Sequence, residues 1–160
     1  MELRLATQDE VSAELGRLAS RLTHPNKLMA GVAAELLSIA EGNFERESSD
    51  GAKWESLSDV TIARREKKGH WPGKKLQVSA GGLAPSVKPF SSTHEAGISA
   101  SKIYAAIQQL GGKAGRGKKV TIPARPYIPM RKSGDGFELS NEAQGAILQL
   151  MRDFMLRGST

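Results

Sequence analysis

The sequence predicts an α+β fold, with N-terminal helices and a C-terminal helix packed on a small, mostly antiparallel β-sheet. Apolar residues recur at helical spacing in the first third of the chain and again near its end. The middle instead carries short alternating or β-branched runs broken by glycine and proline. A length of 160 residues suits one domain with its own core. Helices, then short strands, then a helix is an α+β order. Within that single domain, residues 1–50 read as a helical part, 51–138 as a basic α+β part with flexible loops, and 139–160 as a C-terminal helix.

Residues 2–7 alternate, with Leu3 and Leu5 on one face, and form a short strand or lead directly into a helix. Val11, Leu15, Leu18 and Leu22 then fall on one helical stripe, with Thr7 or Asp9 as the cap. Pro25 breaks the pattern, because the residue before a proline disfavours helix. A second helix runs from Asn26 to about Glu45, with Leu28, Met29, Val32, Leu36, Ile39 and Phe44 on a broad face. Residues 46–53 are a polar turn, with Trp54 placed to pack beneath it. Ser58 caps a shorter helix reaching about Lys68, whose C-terminal cations suit the macrodipole.

Beyond a loop over 69–75 the period changes. Leu76 and Val78 fit a strand or one turn of helix. Ser86–Phe90 and Glu95–Ser99 read as a hairpin. Ile103, Tyr104, Ile107 and Leu110 have helical spacing over Ser101–Leu110, ended by Gly111 and Gly112. Residues 113–119 read as a flexible basic loop, Val120–Ile122 as a strand, Tyr127–Met130 as another strand and 131–136 as a second glycine-bearing loop. Ser140 caps the last helix, whose Ala143, Ile147, Leu150, Met151 and Phe154 share a face.

Charge is unevenly placed within a net of +6. Residues 1–63 hold 6 Lys/Arg against 11 Asp/Glu, residues 64–132 hold 15 against 2, and residues 133–160 hold 2 against 4. A middle of +13 between ends of −5 and −2 points to an anionic partner, or to copies of the chain meeting charge to charge. The plainer reading is a solvated basic surface. With no cysteine, disulfides, thiolate metal sites and a cysteine nucleophile are excluded. No apolar run approaches the ~18–20 residues of a membrane span, and MELRLATQDE lacks signal-peptide character. The expectation is a soluble, intracellular-type protein with no membrane contact.

Few motifs carry chemistry. Gly112–Lys119 nearly matches the phosphate-cradling G-x-x-x-x-G-K-[ST], but Lys119 replaces the magnesium-binding hydroxyl. The required strand before it and helix after it are missing too. His24, His70 and His94 lack metal-ligand spacing, and no G-x-S-x-G elbow occurs. No catalytic, cofactor-binding or metal-ligating residue is expected, and the chain does not read as an enzyme. Trp71 lies among loop cations, where an aromatic stacks on bases, anchors in a partner or covers the protein's own core. Arg125 and Tyr127 lie two apart in a proline-stiffened stretch, so they share a face if it is extended.

Several stretches, taken in order, resemble the phage virion morphogenesis family. Gly51–Ser58 looks like its G-x-x-W-x-x-L-S, and Thr61 with Arg64 and Arg65 like its T-x-x-R continuation. Leu76–Val87 resembles L-x-x-S-G-x-L-x-x-S with one extra residue around the glycines. Tyr104–Gly112 resembles Y-A-x-x-H-Q-x-G-G, with Gln108 where the family often has histidine. Ile122–Ile128 is similar to I-P-A-R-P-F-L. The family comprises tail-completion and head–tail joining proteins of tailed phages, including Mu-like ones.

The resemblance implies a structural virion protein of the neck or head-proximal tail end, made in the host cytoplasm. It would form a homo-oligomeric ring around the DNA channel, in six copies to match the tail tube, and meet other neck and tail proteins. On that reading Arg64, Arg65, Lys67, Lys68, Trp71, Lys74 and Lys75 are the docking candidates. Lys113, Arg116, Lys118 and Lys119 are the candidates for non-specific contact with DNA in the lumen, and Arg125 and Tyr127 for structural or interface roles. The alternative function is a stand-alone basic nucleic-acid-binding module.

Overall fold

The computed structural model describes residues 12, 13, 16, 17, 19, 20 and 25–157. The six described positions before residue 25 are helical and exposed. The stripe Val11, Leu15, Leu18 and Leu22, its caps Thr7 and Asp9, and His24 lie outside the described residues.

Helix α1 spans Asn26–Arg46. Ala33, Leu36, Ile39, Ala40, Asn43 and Phe44 are its buried face. It stops at Glu47, which takes a left-handed conformation (φ 51°) and returns its N–H to the Asn43 carbonyl. The polar turn expected over 46–53 is a hairpin, with β1 (Ser48–Ser49) paired to β2 (Ala52–Lys53). Asp50 and Gly51, both at positive φ, make its two-residue turn. Helix α2 follows at Asp59–Glu66, with Ser58 at its N-cap. The Ser58 hydroxyl bonds the Thr61 hydroxyl at 3.0 Å rather than a helix N–H.

A 3-10 turn at Ala84–Ser86 leads into β3 (Val87–Ser91), which pairs with β4 (Ala96–Ala100) one residue later than the expected hairpin. Helix α3 is Ala105–Leu110. It starts four residues late, and its expected apolar stripe faces outward, with Ile103 101% and Leu110 51% exposed. Its buried residues are Ala105 and Gln109. Gly111 ends it at φ 71°, where a Cβ would lie 2.8 Å from the Ala124 nitrogen, so only glycine fits.

Of the two stretches expected as loops, 131–136 is largely strand, whereas 113–119 is strand only at Lys113 and Ala114 and then a 3-10 turn at Arg116–Lys118. β5 (Gly112–Ala114) pairs with β6 (Val120–Ile122), and β7 (Met130–Ser133) with β8 (Gly136–Leu139). The chain ends in α4, Asn141–Arg157. The fold is thus α+β, with its strand pairing divided among four antiparallel two-stranded sheets. Residues 123–129 belong to no sheet, so the strand expected over Tyr127–Met130 is limited to Met130, the prolines at 126 and 129 having no N–H to give a ladder.

Two clusters form the core. Phe44, Trp54, Leu83, Val87, Ala105 and Tyr127 make the larger one. Phe44 stacks on Tyr127 at 5.0 Å and meets Trp54 edge-on at 6.0 Å. Leu36 and Ile39 of α1 form the smaller cluster with Ala143 of α4. The two helices approach closely, for a Cβ at Gly31 would touch the Leu150 side chain at 3.5 Å. Ile98 of β4 borders both clusters.

Candidate functional site

Residues 123–129 cross the core without a ladder. The Arg125 N–H donates to the Gln108 carbonyl at 2.7 Å, the Ile128 and Pro129 carbonyls also take backbone bonds, and side chains serve most of the rest. Trp54 Nε1 donates to the Pro126 carbonyl at 3.0 Å, and among the side chains Gln109 does the largest share. Its Oε1 accepts the N–H groups of Tyr127 and Ile128, both at 2.9 Å. Its Nε2 donates to the Ile128 carbonyl at 3.1 Å. Asn43 Nδ2 donates to the Tyr127 carbonyl at 3.2 Å. Prolines at 123, 126 and 129 have no N–H to place, which lowers the demand.

Arg125 and Tyr127 alternate with exposed or half-buried neighbours, and both point inward. They do different things there. Arg125, 4% exposed, donates from Nε to the Glu55 carbonyl at 3.1 Å and from Nη2 to the Ser56 carbonyl at 2.9 Å. It therefore fixes the segment between β2 and α2 by charge-assisted bonds to carbonyls. Burial pushes its pKa down, Glu55 pulls it up and neighbouring Arg65 pushes it down. Tyr127 donates its hydroxyl to the Ala105 carbonyl at 3.3 Å, and burial raises its pKa to about 12.

The candidate docking cations divide into two groups. Arg65 donates to the carbonyls of Lys74 (3.0 Å) and Lys75 (2.7 Å). Lys74 bonds the Glu45 carbonyl and lies 3.4 Å from the Glu45 carboxylate. Lys75 pairs with Glu47 at 3.1 Å and donates to the Trp54 carbonyl at 3.2 Å. These three strap the loop after α2 to the end of α1. Burial pushes the Glu47 carboxyl up, but bonds from the Lys75 N–H and ammonium, with the charges of Lys75 and Lys74, outweigh it and hold the pKa low. Bonds from Gln77 and Lys74, and the Lys74 charge, lower that of Glu45. Arg64, Lys67 and Lys68 remain exposed, and Trp71 is half-buried.

Lys113, Arg116, Lys118 and Lys119 sit together on the β5–β6 hairpin and its tip, all exposed. Gly115, Gly117 and Lys118 turn the chain there at positive φ. No described carboxylate pairs with any of the four, so the tip presents its full positive charge. The structure therefore does not gather all the candidate residues at one place. It separates internal straps from two free basic surfaces.

Three working residues were not singled out from sequence. Gln109 and Asn43 are two. Asp50 is the third, since its carboxylate accepts the N–H groups of Asn141 (3.0 Å) and Glu142 (3.1 Å) at the start of α4. Ser140 was the expected cap, and its hydroxyl accepts the Ala143 N–H at 3.3 Å. A signal for Gln109 existed, because it is the glutamine of the Tyr104–Gly112 stretch, beside three nearby prolines.

Among the described residues no three His, Cys, Asp or Glu side chains group to hold a metal ion, and no helix is long and apolar enough to cross a membrane. Polar groups here hold segments in place and leave charged, apolar-studded surface outward. The chain belongs to the phage virion morphogenesis family, whose model matches residues 6–155. It is 32% identical over 135 residues to Mu-like prophage FluMu G protein 2 of Haemophilus influenzae, covering 80% of this chain and 83% of that one. It is 39% identical over 107 residues to protein G of Escherichia phage Mu, named as a candidate capsid assembly protein, covering 65% and 68%. No solved structure matches. The chain is thus a phage morphogenesis protein of a structural family.

Proposed function

We propose that this protein is a ring-forming subunit of the neck or head-proximal tail end, joining head and tail around the DNA channel. Six copies would match a six-fold tail tube. The observation that carries the reading is the β5–β6 tip, where four cations project without a described carboxylate partner. In a ring, that tip faces the lumen and meets phosphates without reading sequence. The contacts are few, because DNA must slide past during ejection. The exposed Arg64, Lys67 and Lys68 region, with Trp71 beside it, docks on an adjoining neck or tail protein. Exposed Val60, Ile103 and Leu156 add apolar area suited to contacts between subunits.

The test replaces Lys113, Arg116, Lys118 and Lys119 together by glutamine. The expected particles join heads to tails but retain or eject DNA abnormally. Unjoined heads and tails would overturn the lumen assignment. The mass of the assembly released from purified particles should correspond to a closed ring, and a single copy per virion would end the ring reading. A chain that binds duplex DNA in solution and is missing from particles would establish the stand-alone nucleic-acid module instead.

A further inference from the structure

A groove of about 620 Å³ lies between the β1–β2 hairpin, the end of α3 and the β7–β8 hairpin. Its apolar lining is Trp54, Leu110, Pro126, Met130 and Phe137. Leu110 and Phe137 are 51% and 54% exposed. Lys53, Arg131, Lys132 and Asp50 line it too. Two of these four are engaged. The Asp50 carboxylate accepts the N–H groups at the start of α4, and Arg131 pairs with Glu138 at 2.9 Å. Lys53 and Lys132 make no ion pair among the described residues. The groove therefore suits an apolar surface flanked by carboxylates.

The start of α2 offers that chemistry. Val60 is 69% exposed there. Glu55 and Asp59 are exposed as well, and neither makes an ion pair among the described residues. The helix divides by charge, with Asp59 in its first turn and Arg64 and Arg65 in its last. Other exposed apolar side chains lack such neighbours. Ile103 and Val120 stand beside Lys102 and Lys119, and the Asp153 carboxylate near Leu156 already accepts the Gln149 amide. The groove and the start of α2 also face opposite ways. Trp54, Ala124 and Pro126 line the groove, whereas their chain neighbours Glu55, Pro123 and Arg125 line a second hollow, bordered by Ser58 and Thr61. Successive side chains of an extended chain point to opposite sides. Surfaces on opposite sides of a subunit meet head to tail, the geometry of a ring, rather than across a two-fold axis.

We propose that the start of α2 of a second copy of this chain seats in the groove. This rests on the ring reading, and names the two surfaces by which one subunit holds the next. Val60 covers Leu110 and Phe137, while Glu55 and Asp59 meet Lys53 and Lys132. Each side supplies the charges that the other leaves unpaired, and the exposed apolar side chains of both leave water together. A phosphodiester backbone would meet the two lysines but leave Leu110 and Phe137 bare.

The chain has no cysteine, so disulfide trapping has no background. Val60→Cys is combined with Leu110→Cys or Phe137→Cys, and the protein is oxidised inside purified particles. The expected product is a ladder of covalent multimers from a double variant and none from Val60→Cys alone. No cross-link from either pair, or a dimer from Val60→Cys alone, would overturn the proposal. Charge reversal gives a second reading. Lys53→Glu with Lys132→Glu, and separately Glu55→Lys with Asp59→Lys, should each raise the concentration needed for assembly by about tenfold through like-charge contact. All four positions are exposed, so the melting midpoint of the subunit should hold. The two pairs combined should restore assembly. Reversals that spare assembly, or a folded combination that fails to restore it, would refute the contact. A ring mass without a ladder removes this proposal and leaves the ring; a single copy per virion removes both. If reversal in the groove leaves the ring mass unchanged but unjoins heads from tails, another virion protein fills the groove and the proposal is wrong.

Discussion

Replacing Gln109 by leucine tests whether one side chain stands in for a missing sheet. The substitution keeps similar bulk and removes every polar atom. It leaves the N–H groups of Tyr127 and Ile128 without the acceptor each now has at 2.9 Å, while the Ile128 carbonyl loses one donor and keeps the Met130 N–H at 2.7 Å. Gln109 is 4% exposed and Tyr127 1%, so water replaces those bonds poorly. An unsatisfied buried group costs about 1–3 kcal/mol. Two such groups, one of them at the half-buried Ile128, give a loss of about 2–6 kcal/mol. That is a large share of the ~5–15 kcal/mol by which a domain is stable. Urea unfolding should show a lower midpoint at unchanged slope. The neighbouring Gln108→Leu is the control of opposite sign: it removes an orphan acceptor and should hold or raise the midpoint. A loss below about 1 kcal/mol for Gln109→Leu, or equal losses at both positions, would refute the reasoning.

Arg125→Ala removes two charge-assisted bonds to the Glu55 and Ser56 carbonyls and should destabilise by about 2–4 kcal/mol, read from thermal melting. Arg125→Lys should recover only part of that, because an ammonium does not reproduce the planar fork. The strap on Glu47 should loosen in acid. The folded pKa of Glu47 is depressed, so its contribution is full above its ordinary value near 4.5 and is lost as pH falls through the folded value. Glu47→Gln should flatten that acid limb and lower stability at neutral pH by about 1 kcal/mol, and an unchanged acid limb would count against the strap.

Legibility from sequence followed burial. α1 and α4 were visible because Leu36, Ile39, Phe44 and Ala143 pack into the core and so impose a helical period. β3 and β4 were visible from their composition and the turn between them, to within one residue. The β7–β8 hairpin was not, because all its residues but Met130 are exposed and no alternation is required of them. α3 was misread for the reverse reason: Ile103 and Leu110 keep the helical spacing but face out, while the residues that bury are an alanine and a glutamine. The clamps were hidden by distance along the chain. Asn43 reaches 84 residues to Tyr127, Arg125 reaches 70 to Glu55 and Asp50 reaches 91 to Asn141. No local pattern encodes a bond of that span. The functional surfaces were visible only as charge.

An isolated two-stranded hairpin is marginal in water, so each of the four must be held by something else. β3–β4 is held by burial of Val87 and Ile98 against α1. β1–β2 is held where Asp50 grips the start of α4. β7–β8 continues directly from the clamped 125–129 stretch, and Ser140 returns its N–H to the Pro129 carbonyl at 3.0 Å. β5–β6 has the least: its base follows Gly111, but its residues past Ala114 are exposed as far as Thr121. Lysines on such an edge would by themselves keep it from pairing at random. The weakest-held hairpin is thus the one whose stability should rise most on assembly.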